Sequence, residues 1–283
     1  MDSIRPKKSL GQNFLNDKNV ILKIVDYFSA QSNSPLLEIG PGMGALTQHL
    51  ISESTCFVAV DFDEQAVQYL QKKFPENQYP DFRLIHSDIR KIDLQQVFAD
   101  CLSNDMKINV IGNIPYNISS DIIFYLIKNR NIINSAQLML QKEVAERLCA
   151  KPDSKTYGIT TVAVNLVGEC EYLFDVSPKS FFPSPKVTSA VIRINFNREL
   201  PEAEFNSIMK IVKAAFNQRR KQLRNSLKSY LNQYTGNKAS EFINYFEITS
   251  SKFFDKRPEN LNLNEFKELY KELQIFVDEK QKK

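Results

Sequence analysis

The sequence predicts an α/β protein: a doubly wound sheet followed by a small all-helical C-terminal domain. Three observations carry this. Short apolar runs alternate with segments of helical periodicity from residue 35 onward, the signature of parallel strands joined by right-handed helical crossovers. Three glycines, Gly40, Gly42 and Gly44, follow the first apolar run, and the carboxyl ends of such strands are where these sheets bind ligands. After about residue 197 the pattern turns helical and yields no further convincing strand.

Taken in order, PLLEIG (35–40) reads as a short buried strand and ALTQHLIS (45–52) as a helix. CFVAVDFD (56–63) is a strand, and EQAVQYLQKKF (64–74) a helix with apolar residues at helical spacing. RLIHSD (83–88) and KINVIG (107–112) are the next strands, followed by a helix near 118–128 and a strand at AQLMLQ (136–141). TTVAVNLVG (160–168) and VTSAVIRINF (187–196) read as late strands separated by a Pro-rich loop. NRELPEAEF (197–205) is a linker entering a helix, so the domains are expected at 1–197 and 201–283.

Bulk properties restrict the function. Hydrophobic residues make up 42% and charged residues 25% of the 283, ordinary for a globular chain and long enough for two cores. No run reaches the ~18 uncharged residues of a membrane helix and no leader pattern opens the chain, so a cytoplasmic protein without membrane contact is expected. The four cysteines are widely spaced and there are two histidines. That pattern gives neither a metal-ligand set nor a disulfide framework, and reduced, mostly buried thiols are expected. No heptad repeat calls for a coiled-coil dimer, so a monomer is expected.

The chemistry begins at EIGPGMG (38–44). Glycines between a strand and a helix let a ligand approach the backbone. A dinucleotide site would need G-x-G-x-x-G, whereas here the spacing is G-x-G-x-G and Pro41 removes an amide donor. Asp61 ends the second strand, where a carboxylate accepts both hydroxyls of a ribose; Asp88 ends the third, where it accepts from an adenine amine. Either acid alone is more simply a cap, but the two together with the glycine loop point to a nucleoside-containing cofactor.

GNIPYNISSDII (112–123) then has a reason. The exocyclic amine of adenine is a poor nucleophile because its lone pair is delocalised into the ring. The Asn113 side-chain oxygen and the Ile114 carbonyl can accept from that amine, Pro115 fixes the local backbone, and Tyr116 offers a face for an extruded base at ~1–3 kcal/mol per stacked base. Such a site works by positioning and electrostatics.

The segments KKSLGQNFLND (7–17), LLEIGPGMGALT (36–47), VDFD (60–63), SDI (87–89), GNIPYNISS (112–120), FFPSPKVTSAVIRI (181–194) and AFNQRRKQLRNSL (215–227) together resemble the ribosomal RNA adenine N6,N6-dimethyltransferase family, in its small-subunit (16S) branch. The resemblance implies a Rossmann-like, class I methyltransferase domain with S-adenosylmethionine as cofactor and no metal. It implies that Asn13 and Leu15 line the cofactor pocket with Gly40 and Gly42 beneath it. Glu38 would face the methionine amine, Asp61 the ribose and Asp88 the adenine. Asn113 would touch both cofactor and target, and Tyr116 and Phe181 would sandwich the base. Relatives often carry Leu at position 114 and Glu at position 61.

Substrate choice is a separate question. From Phe205 to Ser240 the chain has no acidic residue and many basic ones. Read as one helix, Phe216, Leu223, Leu227 and Tyr230 share an apolar face and Arg219, Arg220, Lys221 and Arg224 flank it, as a helix gripping phosphates requires. Arg5, Lys7 and Lys8 offer a second contact. The resemblance implies small-subunit ribosomal RNA, within an immature 30S subunit, as partner. Two adjacent adenosines in a hairpin near its 3′ end would be dimethylated. The alternatives are a resistance-type methyltransferase of large-subunit (23S) RNA and a non-catalytic assembly factor on the same fold.

Overall fold

The structure, a computed structural model, describes residues 6–7, 11–29, 34–102, 106–249 and 253–281. Arg5 and Lys8 lie outside the described residues. Contacts divide the chain into two compact units, Met1–Glu146 with Gly168–Asn197, and Arg147–Val167 with Arg198–Lys283. Residues 147–167, which sequence reasoning puts with the first domain, therefore pack with the second unit.

The first unit opens with β1 (Phe14–Leu15) and α1 (Lys18–Ser29). It continues through β2 (Leu36–Ile39), α2 (Thr47–Leu50), β3 (Phe57–Asp61), α3 (Glu64–Lys73), β4 (Phe82–His86), α4 (Leu94–Val97), β5 (Ile108–Asn113), α5 (Ser119–Lys128), β6 (Ile133–Gln141) and the greater part of α6 (Lys142–Leu148). Among the described residues the main sheet has seven strands. Its parallel part runs β4-β3-β2-β5-β6. The order reverses direction between β2 and β5, which is the switch point where an α/β sheet opens a crevice for ligand. Every residue of β2 and β3 is buried, as a strand covered on both faces demands.

Local chemistry sets the helices. Asp63 caps α3, its side chain accepting from the Gln65 amide, with Glu64 in the first turn and Lys72 and Lys73 in the last, charges that complement the helix dipole. Asp93 caps α4 through the Gln95 and Gln96 amides. Sequence reasoning leaves α1 unnamed. It is held to the sheet through its carbonyls: Gln137 Nε2 donates to Ile24 at 2.7 Å, and Arg193 donates to Tyr27. Ile21, Ile24 and Phe28 enter the core.

The far edge of the sheet departs from expectation. β7 (Glu169–Val176) falls where only a loop is expected, since its alternation is masked by acidic residues on the exposed face. β8 (Phe181–Phe182) and β9 (Ser189–Asn195) follow. β9 inserts antiparallel between β6 and β7, so the sheet is mixed. β8 pairs separately with β1, bringing Phe181 opposite Leu15 and Phe182 opposite Phe14.

The expected strand at 160–168 is helical, α7 (Ile159–Val167). Its apolar residues Val162, Ala163, Val164, Leu166 and Val167 run almost without a break and are all buried in the second unit, so little helical period shows. That unit continues with α8 (Glu202–Asn217), α9 (Leu223–Ser226), α10 (Lys228–Thr235), α11 (Ala239–Thr249) and α12 (Leu263–Gln281). Its core is aromatic: Phe242 meets Phe254 and Phe276 with centroids at 6.1 and 5.2 Å, and Phe216 stacks on Phe266 at 6.3 Å. Segment 147–167 is tied in by the Asp153 amide on the Glu259 carbonyl and by Asn260 Nδ2 on Asp153 Oδ1 at 2.6 Å.

The expectation of free thiols is corrected. Cys56 and Cys101 form a disulfide with Cα atoms 6.2 Å apart, and no free cysteine is found among the described residues. Spacing along the chain does not report distance across a sheet. Cys56 enters β3 and Cys101 leaves α4, and the fold returns one beside the other.

Candidate active site

The glycine loop leaves β2 at the switch point. Gly40 and Gly42 have φ of +69° and +57°, which side chains disfavour, and their surroundings exclude one. A Cβ on Gly40 would stand 3.3 Å from the Asn113 carbonyl, and one on Gly42 3.1 Å from the Phe14 ring. Backbone here forms a floor against which β5 and β1 pack closely.

Asp61 ends β3 beside this loop. Its Oδ2 accepts from the Gly42 amide at 3.0 Å and its Oδ1 from the Asp63 amide at 2.8 Å. Burial pushes the carboxyl up, although those amide bonds oppose it. Asp63 does more than cap α3: Lys7 Nζ and Gln12 Nε2 donate to it at 2.6 and 2.7 Å. Burial of Asp63 is outweighed by these bonds, and its carboxyl is held low. Lys7, expected as an RNA contact, is also an ion-pair partner that ties the N-terminal segment to the start of α3.

Glu38 is 1% exposed on β2. Thr47 Oγ1 donates to it at 2.7 Å. Burial, opposed by that bond, leaves its carboxyl pushed up to about 7.

Asn113 ends β5, with its Nδ2 donating to the Asn13 carbonyl at 3.1 Å. A carbonyl can only accept, so the amide nitrogen is the anchored end and Oδ1 the presented acceptor. The Ile114 amide is taken by the Met139 carbonyl at 3.0 Å. Pro115, at φ −56°, precedes the 3-10 turn Tyr116–Ile118. That turn closes from the Ile118 amide to the Pro115 carbonyl, so the Ile114 carbonyl lies outside it. Tyr116 is held by its hydroxyl, 2.6 Å from Ser189 Oγ.

These residues share one cavity of about 210 Å³, lined by Asn13, Gly40, Gly42, Asp61, Asp88, Asn113, Ile114, Pro115 and Tyr116. An adjoining cavity of about 30 Å³ shares Phe14, Gly40, Gly42 and Asn113 with it and adds Leu15 and Glu38. Phe181 lines neither of these cavities: it is 4% exposed and packed in the core, while neighbouring Phe182 is 64% exposed. Sequence reasoning misses Phe14, Gln12, Asp63 and Arg90. Asp63 and Arg90 leave a trace, each lying two residues beyond a singled-out aspartate.

Asp88 does not end β4 but stands two residues past it. It caps the 3-10 turn Ile89–Lys91, and the Arg90 guanidinium holds its carboxyl below the usual range. A glycine-backed floor with one carboxylate at the end of β3, a second after β4 and the Glu38 carboxyl in the adjoining cavity suits a polar ligand with a ribose-like set of hydroxyls.

Comparison with known proteins decides the class. The family model described as ribosomal RNA adenine dimethylase matches residues 4–271. The chain belongs to this family. Among relatives of this ribosomal RNA adenine dimethylase, the "Ribosomal RNA small subunit methyltransferase A" of Parabacteroides distasonis is 42% identical, covering 95% of this chain and 94% of that protein. The protein of the same description from Cytophaga hutchinsonii is 43% identical, with 95% and 97% covered. The crystal structure of a dimethyladenosine transferase from Plasmodium falciparum superposes with a TM-score of 0.76 at 25% identity, over 95% of this chain and 98% of that one. The 23S rRNA methyltransferase ErmE shares the fold, with a TM-score of 0.62 at 22% identity over 93% and 100%.

The expected RNA-binding residues lie in the second unit. The chain there is not one helix: α8 stops at Asn217, α9 covers Leu223–Ser226 and α10 begins at Lys228. Arg219 pairs with Glu259 at 3.4 Å and donates to the Ser154 carbonyl. Arg224 pairs with Asp255 at 2.5 Å. Arg220 and Lys221 are exposed.

Proposed function

We propose that this ribosomal RNA adenine dimethylase modifies small-subunit ribosomal RNA, converting two adjacent adenosines of a hairpin near the 3′ end to N6,N6-dimethyladenosine. Its methyl donor is S-adenosylmethionine and its physiological partner an immature small subunit in the cytoplasm. The observation that carries the chemistry is the single cavity in which an anchored Asn113 amide and the Asp61 carboxylate meet the glycine floor. The choice of subunit is supported by the extent of similarity to the small-subunit relatives.

When bound, S-adenosylmethionine supplies an electrophilic sulfonium methyl group. Asp61 would accept from the ribose hydroxyls, Asp88 from the adenine amine, and Glu38 would face the ammonium group. Asn13, Leu15, Gly40 and Gly42 form the remaining walls. Asn113 Oδ1 and the Ile114 carbonyl accept the two N–H groups of the target amine, which localises its lone pair for attack. Tyr116 stacks on the base; for Phe181 to form a second face, the β1–β8 pair must open. Each transfer would leave the donor as the neutral thioether and release one amine proton to solvent; the single N–H left after the first would need one acceptor to orient the amine again. The protein thus contributes alignment and fixed dipoles.

The test incubates the protein and labelled S-adenosylmethionine with unmethylated small subunits and, separately, with large-subunit RNA, followed by nucleoside mass spectrometry. Dimethyladenosine from the small subunits alone is expected. Product from large-subunit RNA alone would move the target to the other subunit, and donor binding without product from either would leave an assembly factor.

A further inference from the structure

Arg90 lines the cavity beside Asp88. Its Nε donates to Asp88 Oδ1 at 2.9 Å and its Nη2 to Oδ2 at 2.7 Å, a side-on fork. Its backbone amide adds a bond to Oδ1 at 3.0 Å. The remaining Nη1 reaches Asp121 Oδ2 at 2.7 Å, in the first turn of α5. One planar group therefore links the turn after β4 to the helix that follows the Asn113–Ile118 turn.

The arrangement is poorly explained by folding stability. The Arg90 and Asp121 side chains are 39% and 57% exposed, and exposed ion pairs stabilise a fold little. What a side-on guanidinium does well is fix a carboxylate in one plane. A free Asp88 carboxylate could turn about its own axis toward solvent. The forked one cannot, and it offers its outward lone pair in a single direction.

We propose that Arg90 is a positioning residue for the purine ring of the methyl donor. By holding the Asp88 carboxylate in one orientation it sets a preference for a purine bearing an amino group over one bearing a carbonyl. The proposal rests on the reading of S-adenosylmethionine as cofactor. An amine at that place donates to the fixed carboxylate, whereas a carbonyl oxygen meets a negative charge that cannot turn away. Discrimination of this kind arises when a polar group in the site is left facing the wrong partner.

The test is calorimetric binding of S-adenosylhomocysteine and S-inosylhomocysteine to the full-length chain and to Arg90→Met, Arg90→Lys and Asp121→Asn, each checked for folding by circular dichroism. The unaltered protein should prefer the adenosyl ligand at least tenfold. Arg90→Met should lose about tenfold in affinity for it, leave the inosyl ligand within about twofold, and so collapse the preference. Arg90→Lys, which cannot fork, should not restore the ratio, and Asp121→Asn should lower it part-way. In Arg90→Met the KM for S-adenosylmethionine should rise by a larger factor than kcat falls. An unchanged ratio in Arg90→Met, or equal loss for both ligands, overturns the positioning role. Absence of any S-adenosylhomocysteine binding to the unaltered protein overturns the cofactor reading itself.

Discussion

Asn113 has one anchored end and one presented end, and its substitutions separate the two. Asn113→Ala removes the acceptor, and kcat should fall at least a hundredfold while calorimetric affinity for S-adenosylmethionine stays within a few-fold; turnover near the unaltered rate would remove Asn113 from the mechanism. Glu38 carries a pH dependence of definite sign. Its carboxyl sits at about 7 in the fold against 4.5 ordinarily, so the folded state holds a proton that the unfolded state releases. Ionising it costs nothing below pH 4.5, increasingly more between 4.5 and 7, and the full penalty of about 3 kcal/mol above 7. Glu38→Gln should therefore match the unaltered protein in denaturant unfolding at pH 4.5 and exceed it by up to that amount at pH 8. The same variant should bind the donor less tightly, most visibly above pH 7, where the ionised carboxylate would face the ammonium group.

At the scale of an element, the caps of α3 and α4 make a matched pair. Both are aspartates bonded to helix amides, and loss of either should cost about 1 kcal/mol in thermal unfolding. Only Asp63 also holds Lys7 and Gln12, and Gln12 lines the cavity. Asp63→Ala should thus weaken donor binding several-fold, while Asp93→Ala leaves it unchanged. Equal donor affinity in the two variants would show that the N-terminal tie plays no part in the site. The broken helix at 217–228 carries the same lesson. Its apolar positions look continuous on a wheel, but Lys221 closes a turn on the Gln218 carbonyl at 2.8 Å and the Leu223 amide bonds to Lys256 at 2.9 Å, so contacts from a distant segment end the helix.

For the whole molecule, the net charge of +4 matters less than which cations are engaged within the fold. Arg219 and Arg224 meet carboxylates from 255–259, so they help hold the second unit together. Arg220 and Lys221 are exposed. Replacing both by Gln should lower the slope of log affinity for small subunits against log salt by about 2, roughly one per phosphate contact, without changing thermal stability. Arg219→Ala should instead lower the melting temperature, because it strands Glu259. The reverse pattern in filter binding and melting would exchange these roles.

Much of the site is legible locally because its demands are local. Gly40 and Gly42 take left-handed turns that favour glycine, Asp61 ends β3, Asn113 ends β5 and Pro115 follows it, and all of these line one cavity. Each is a residue type at a fixed offset from a strand, so the glycine loop, Asp61 and Asn113–Tyr116 could be named from the chain alone, as could the alternating sheet that carries them. What only the tertiary structure decided depends on approach through space. It paired Phe181 with Leu15 and buried it, set Lys7 and Gln12 on Asp63, forked Arg90 between Asp88 and Asp121, joined Cys56 to Cys101 and gave residues 147–167 to the second unit. No periodicity encodes these pairings, because segments far apart in the chain meet only when the sheet order and the burial of its faces bring them together.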